Sequence, residues 1–339
     1  MLLLSVNYRS NFLFLLVLFF DIACSDKLID FPNLQKTNFL FIVFDDLRNE
    51  LNFYGRKHML TPNFDRLSRK SVIFDNAYCQ VAVCNPSRDS MLTGLRPDTT
   101  GTYSFQWSFR PHMIFPTKLA RSGYTTAGYG KVSHWDSSDK NVWSYDHWDG
   151  DWYSYQVRER AYMNASTMPD QVRPETFFRD HMFTTKLVKT IRELHKRPEY
   201  FMAAIGFKLP HLAVHLPYQY YNMYKGKEQS WKLTKKESKF PPTSPAIAYR
   251  CCADPEFRYM AEEGRQKSKR EIRLGQDIDL VIPEDMRNEL MLGYCGAVTF
   301  LDKQIGRILD VVDELNLWGN LTVILTSDHG IHNGEKGLW

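Results

Sequence analysis

The stretch Cys84-Asn85-Pro86-Ser87-Arg88, continued by Asp89-Ser90-Met91-Leu92-Thr93-Gly94, sets a thiol just ahead of a short helical pattern. Pro86 suits a first helical turn, where its missing N–H would have no partner anyway. A helix over Pro86–Thr93 would turn its free N–H groups and the positive end of its dipole toward whatever Cys84 attacks. An anion is the guest such a terminus expects. A buried cysteine ahead of a capped helix is the plainer reading of the same residues.

Two further groups point to a cation. Asp45-Asp46 ends the apolar run Phe39–Phe44, and Asp328-His329 follows the run Leu321–Thr326. Three carboxylates facing one spot repel one another unless a cation sits between them. Oxygen-rich ligation favours Ca²⁺ or Mg²⁺, while a histidine in the set keeps Zn²⁺ or Mn²⁺ open. An Asp-Asp pair on its own is as compatible with a turn or a cap.

The elements that must position these residues are visible as short apolar runs between helical patterns. Phe39–Phe44, Ser71–Ala77, Tyr124–Tyr129, Tyr200–Gly206 and Leu321–Thr326 read as strands, mostly buried on both faces. Helices are expected from Pro62 to Lys70 with Thr61 as N-cap, over Pro116–Ser122, over Glu175–Lys196, and along most of Pro283–Asn316. Strands alternating with helices predict an α/β fold with a mostly parallel sheet. Ligands in such sheets collect beyond the carboxyl ends of the strands. Asp45, Asp46, Lys131, His211, Asp328 and His329 all fall just after predicted strands, so residues distant in sequence should meet at one edge. Tyr145–Asp170, rich in Trp, Tyr and Asp, reads as an irregular excursion. Lys225–Lys239 and Arg265–Arg273 are basic runs in a poorly patterned stretch from about 217 to 282, read as a solvated insertion that could also attract a polyanion.

The chain has 339 residues, 43% hydrophobic and 14% aromatic, with a net charge of +4. That composition supports a sizeable core, and the charge permits an acidic ligand without demanding one. Residues 1–25 read as a secretory leader: Arg9, the apolar run Phe12–Phe20, and small residues Ala23 and Ser25 ahead of Asp26. That run is short for a membrane span, so no stable membrane anchor is expected. Beyond the leader lie Cys79, Cys84, Cys251, Cys252 and Cys295, an odd number whose pairing is left open. Asn164-Ala165-Ser166 and Asn320-Leu321-Thr322 are glycosylation sequons.

Several motifs together resemble the sulfatase family. They are Cys84 to Arg88 with Leu92-Thr93-Gly94, Val43-Phe44-Asp45-Asp46-Leu47-Arg48, Thr61-Pro62-Asn63-Phe64-Asp65-Arg66-Leu67, Phe74-Asp75-Asn76-Ala77-Tyr78, Arg96-Pro97-Asp98-Thr99-Thr100, Gly130-Lys131-Val132-Ser133-His134, Leu209-Pro210-His211 and Thr326-Ser327-Asp328-His329-Gly330. The resemblance runs from about residue 36 to the end, loosely over 137–282. It implies an alkaline-phosphatase-like α/β/α sandwich, with residues 26–339 as the catalytic domain. It implies oxidation of Cys84 to formylglycine by a formylglycine-generating enzyme. Asp45, Asp46, Asp328 and His329 would hold Ca²⁺ (Mg²⁺ is the lesser choice) together with the modified Cys84. Arg88, Lys131, His134 and His211 would act on the nucleophile, the sulfate and the leaving oxygen. The implied substrate is a sulfated glycosaminoglycan, with a 2-O-sulfated iduronate of heparan or dermatan sulfate fitting the Asp-Asp-Leu-Arg start, the Arg-Pro-Asp-Thr-Thr run and the Asp-His variant best. The implied location is the lysosome or outside the cell, and no nucleic acid is expected as a partner. Two alternatives stay open: hydrolysis of a phosphate or phosphonate ester on the same fold, and a non-catalytic carbohydrate-binding chain. The family's His-Lys-Pro-His reads Lys208-Leu209-Pro210-His211 here, displacing the cation by one position. Family members carry a sulfate-binding lysine and a smaller carboxy-terminal subdomain beyond the point matching Trp339. Lys336 does not align with that lysine, so the chain as given is expected to lack the subdomain and to be impaired.

Overall fold

A computed structural model describes residues 2–5, 36–105, 112–134, 142–144, 167–170, 173–212, 214–234, 237 and 284–337. Most of the leader, the bulk of the aromatic excursion, the run Arg265–Arg273, Cys251, Cys252 and the Asn164 sequon lie outside the described residues. The chain divides into two compact units, Met1–Gly150 with Thr176–Leu209 and Leu301–Gly330, and Asp151–Glu175 with Pro210–Phe300 and Ile331–Trp339.

The first unit is built on a six-stranded sheet. Its strands are β1 (Leu2–Ser5), β2 (Asn38–Asp45), β3 (Val72–Phe74), β4 (Thr125–Gly130), β6 (Phe201–Pro210) and β8 (Leu321–Ser327), in the order β3-β1-β8-β2-β6-β4. β2 runs parallel to β8 and β4 parallel to β6, while β1 is antiparallel to both of its neighbours. β2 is buried along its whole length, as a strand covered on both faces must be. Phe41 meets Phe115 of helix α4 (Phe115–Arg121) edge-on at 5.2 Å. Phe44, of opposite parity and so on the other face, stacks on Phe207 at 5.1 Å and meets Phe64 of α1 (Pro62–Ser68) at 5.6 Å. Helices therefore cover both sides. The α/β expectation holds, with four residues of the leader segment forming a strand of the sheet.

Some boundaries differ for identifiable reasons. Thr61 does not cap α1; its Oγ1 accepts the Asn52 N–H instead. The free donors at the start of α1, the N–H groups of Asn63 and Phe64, go to the Asp302 carboxylate at 2.9 and 2.8 Å. A residue 239 positions away thus does the work expected of a neighbour. The helix expected over Glu175–Lys196 opens as a 3₁₀ turn, Glu175–Phe177, before α5 (Arg179–Leu194). β6 runs four residues beyond Gly206, and its end is held where the N–H groups of Lys208 and Leu209 donate to Asp180 of α5 at 3.1 and 3.2 Å. The β3 run is shorter than Ser71–Ala77.

The second unit contains a two-stranded parallel pair, β5 (Thr167–Asp170) and β7 (Val214–Pro217), and helix α6 (Tyr218–Asn222). The long helix α7 (Glu284–Glu314) gives residues up to Phe300 to this unit and the rest to the first. Tyr221 donates to Glu289, Trp231 Nε1 to Asn288 at 3.2 Å, and Tyr224 pairs with Thr299 at 2.6 Å, so hydroxyl and indole groups tie 218–231 to α7. Gly296 permits the approach: a methyl group there would come 2.7 Å from the Leu216 side chain.

Candidate active site

The pairing of β2 with β8 puts Phe44 opposite Ser327, so both strands finish at the same level. Asp45 is the last residue of β2, and Asp328 is the first after β8. Each is almost wholly buried. Asp328 N–H donates to Phe44 O at 3.1 Å and Asp46 N–H to Asp328 Oδ1 at 3.3 Å, stitching the two ends together. Asp46 sits at φ 65°, in the left-handed region that a non-glycine residue adopts only at some cost.

Helix α2 (Cys84–Thr93), followed by the short α3 (Pro97–Thr100), brings the sulfur to this point. It begins two residues earlier than expected, so Cys84 itself lies in the first turn and Pro86 falls inside that turn rather than opening it. The Cys84 thiol donates to Asp45 Oδ1 at 3.2 Å, and His329 Nε2 lies 3.3 Å from the same sulfur. Ligand atoms of Asp45, Cys84, Asp328 and His329 all lie within 4.8 Å of one another. Asp46 stands one step back, its Oδ1 3.1 Å from His329 Nδ1.

Two buried cations close the cluster. Arg88, fully buried on α2, donates through Nε to Asp328 Oδ2 at 2.9 Å and through Nη2 to Phe44 O at 3.2 Å, and its Nη1 donates to Lys131 O. Lys131 follows β4 and donates through Nζ to Asp45 Oδ2. Burial works against the charge on both side chains. The carboxylates of Asp328 and Asp45 outweigh it at Arg88, and those of Asp45 and the Cys84 sulfur at Lys131, so both pKa values end above their ordinary range. Burial lifts Asp328 to about 6, with the Asp45 charge adding to it and Arg88 opposing. His329 is discouraged from charging by burial, yet its contacts with Asp46 and Cys84 and the Asp328 charge push it up to about 12. Two carboxylates, an imidazole and the Cys84 sulfur thus form one compact cluster. Its donors, carboxylate oxygens from two strand ends and one imidazole nitrogen around the position-84 side chain, fit a single divalent cation.

Of the residues expected to act together, Asp45, Asp46, Cys84, Arg88, Lys131, Asp328 and His329 are assembled in the first unit. His134 is buried in the same unit, its ring 5.2 Å from that of Phe105. His211 follows β6 and belongs to the second unit, where its Nδ1 meets the Leu212 carbonyl. Four further residues support the site without an assigned role in the sequence reading. Ser87 Oγ donates to Asp328 O. Gly130 and Gly206 let β4 and β6 close up beneath Lys131; a methyl group on Gly206 would overlap the Lys131 carbonyl. A glycine ending an apolar strand was the available signal. Asp180, which holds the end of β6, gave none, because its partners are 28 and 29 residues away. Cys79 and Cys84 form no disulfide among the described residues. A cavity of about 320 Å³ lies at the opposite end of the sheet, among Asn38, Tyr200, Phe201 and Asn320, away from these groups.

The sulfatase family model matches residues 37–339, and the chain belongs to that family. Among curated relatives, iduronate 2-sulfatase of Mus musculus is 31% identical over 322 residues, covering 89% of this chain and 56% of that protein. The chain thus spans little more than half the length of such relatives. Phosphonate monoester hydrolase SpPMH from Silicibacter pomeroyi shares the fold with a TM-score of 0.64 at 19% identity, over 90% of this chain and 64% of that one. The BT4656 protein, solved with its substrate D-glucosamine-2-N,6-O-disulfate, matches with a TM-score of 0.63 at 20% identity, over 90% and 67%.

Proposed function

We propose that residues 26–339 form a sulfatase catalytic domain that removes sulfate from a glycosaminoglycan sugar, a 2-O-sulfated uronate being the preferred candidate. The observation that carries this is the meeting of four ligand atoms within 4.8 Å around the position-84 side chain, at the first turn of α2. In this reading Cys84 is converted to formylglycine, whose hydrate supplies a nucleophile toward sulfur, and a Ca²⁺ ion supplies charge for the sulfuryl oxygens.

The protein groups then have distinct tasks. Asp45, Asp46, Asp328 and His329 hold the cation. Arg88, fixed by Asp328 and Phe44 O, is a rigid buried charge that neutralises the nucleophile and the sulfate without needing to reorganise. Lys131, which donates to Asp45, orients the nucleophile. His134 assists expulsion of sulfate, and His211 serves the leaving oxygen. Hydrolysis of a phosphate or phosphonate ester is the alternative the same donor set supports.

Residues 1–25 are proposed to route the chain into the secretory pathway, where a formylglycine-generating enzyme acts on Cys84 during maturation, and onward to the lysosome or the medium; cleavage before Asp26 would remove β1 from between β3 and β8. Among the described residues no helix is long and apolar enough to cross a membrane. Asn320 is exposed at the start of β8 with Thr322 buried behind it, and is the proposed glycan site.

The test is to express the full 339-residue chain in eukaryotic secretory cells. Mass spectrometry of the Cys84 peptide should find formylglycine, metal analysis one Ca²⁺ per chain, and peptide N-glycosidase a mass loss at Asn320. Amino-terminal sequencing should begin at Asp26. Sulfate release from a 2-O-sulfated uronate disaccharide should exceed phosphate release from a matched phosphate ester. An unmodified thiol with no turnover of either would overturn the enzyme reading.

A further inference from the structure

Residues 101–105 are pinned to the helix that carries Cys84 at two points. Thr102 Oγ1 donates to Asp89 Oδ2 at 2.8 Å, and Asn85 Nδ2 donates to Ser104 O at 2.8 Å. Asn85 is the residue next to Cys84, so the second tether lies at the first turn of α2. The pinned positions are 102 and 104. Between and after them Tyr103 is 58% exposed and Phe105 is 52% exposed. Two large rings are thus half in water on a segment tethered at 102 and 104. Single exposed aromatics are commonplace. Phe105 is different because it adjoins the site: its ring rests 5.2 Å from the imidazole of His134, tilted 50° to it, with Tyr103 two residues before it on the same tethered segment. One edge of Phe105 is therefore supported by a residue of the site, and the rest faces solvent.

We propose that Tyr103 and Phe105 form an aromatic platform that stacks on the apolar face of the pyranose ring bearing the sulfate ester. The inference rests on the sulfatase reading above and deepens it by naming the recognition of the sugar ring as distinct from that of the sulfate. A pyranose presents C–H groups on one face, and these complement the electron-rich face of an aromatic ring. A rigidly held ring loses little conformational freedom on binding, so the platform adds affinity at small entropic cost. Sulfate itself is met by charge; the ring is what the platform adds. His134 beneath Phe105 keeps the stacked sugar in register with the group that serves the sulfate.

The test compares two probes on the full-length chain and its Phe105→Ala, Tyr103→Ala and Phe105→Trp variants. One probe is a 2-O-sulfated uronate disaccharide, the other inorganic sulfate, both measured by calorimetry. Phe105→Ala should lower the ratio of disaccharide to sulfate affinity about tenfold, Tyr103→Ala severalfold, and Phe105→Trp should restore it. Thermal melts establish that each variant is folded. Equal losses for both probes would mean that Phe105 merely supports His134, and an unchanged ratio would mean that the rings touch no sugar; either overturns the platform. Failure of the wild-type chain to bind inorganic sulfate overturns the sulfatase reading instead, and the platform is then judged on whether disaccharide binding exists and falls with Phe105→Ala.

Discussion

Asp302 and Asp328 lie in the same unit, are both buried, and are both lifted by burial to about 6. Their surroundings differ completely. Asp302 accepts only N–H donors, two from the backbone at the start of α1 and one from the Asn63 side chain at 2.8 Å. Those dipoles satisfy both of its oxygens and leave no room for a guest. Asp328 is surrounded by full charges: Arg88 at 2.9 Å, His329, and the like-charged Asp45. A shifted acid alone therefore does not mark a site. What marks it is an acid whose hydrogen-bonding partner is itself an ion and whose oxygen lies within 4.8 Å of three further ligand atoms, those of Asp45, Cys84 and His329.

The sharpest break of this contrast is a matched pair of substitutions. Asp328→Asn should strip the bound divalent ion and lower sulfate release on the order of 10³-fold or more, since it removes a ligand and leaves Arg88 underpaired. Asp302→Asn should leave metal content and turnover within about twofold of wild type, measured by metal analysis and sulfate release. Comparable losses in the two variants would erase the distinction.

Gly206→Ala comes next. The added methyl group would meet the Lys131 backbone, which cannot yield without moving the cation that holds Asp45. We expect a loss of about 3 kcal/mol in urea unfolding, together with lost metal binding. Gly226→Val, at a glycine with open space around it, is not an equivalent control because of its φ of 80°; a better reference is Gly319→Ala, with nothing within 4 Å.

Asp302→Ala should cost about 2–3 kcal/mol, because it leaves the Asn63 and Phe64 N–H groups without an acceptor. Asp302→Asn should cost under about 1 kcal/mol, since its carbonyl oxygen can still accept both backbone donors and the Asn63 amide can turn to receive its NH₂. Denaturant midpoints distinguish the two.

The smallest effect is in pH dependence. Asp302 has a pKa of about 6 when folded against its ordinary 3.8, so the folded state binds the proton more tightly. Its contribution to stability is full below pH 3.8 and is lost as the pH rises through 6. Between pH 5 and 7 that loss is about 1 kcal/mol, and Asp302→Asn should remove this share of the slope in urea unfolding. Asp180, also lifted to about 6 by burial, acts in the same direction and should keep the remaining slope.

Much of the site was legible because local sequence encodes strand ends. Apolar runs that stop at Asp45, Lys131 and Asp328 can only be buried strands meeting polar loops, and parallel strands of one sheet finish along one edge. The resemblance of Cys84 to Arg88 and the Asp-Asp and Asp-His pairs to sulfatase motifs added the roles. The capping of α1 was misread because Thr61 satisfied a local rule, while the real acceptor, Asp302, came from a helix far along the chain. Leu2–Leu4 could not be read as a strand at all, since three leucines in a leader look apolar with or without a partner, and only pairing with β8 and β3 defines them.

The sequence by itself determined which residues could do chemistry, that they follow strands, and that positive and negative groups would gather there. Local pattern suffices for this because strand burial and chain direction are properties of a few consecutive residues. The tertiary structure alone decided that Cys84 opens its helix, that Arg88 is locked by Asp328 and the Phe44 carbonyl, and that Gly206 makes way for Lys131. It also decided that Phe105 stands beside His134. Those facts depend on contacts between segments that only packing brings together, and a contact between distant segments leaves no periodic trace in either one.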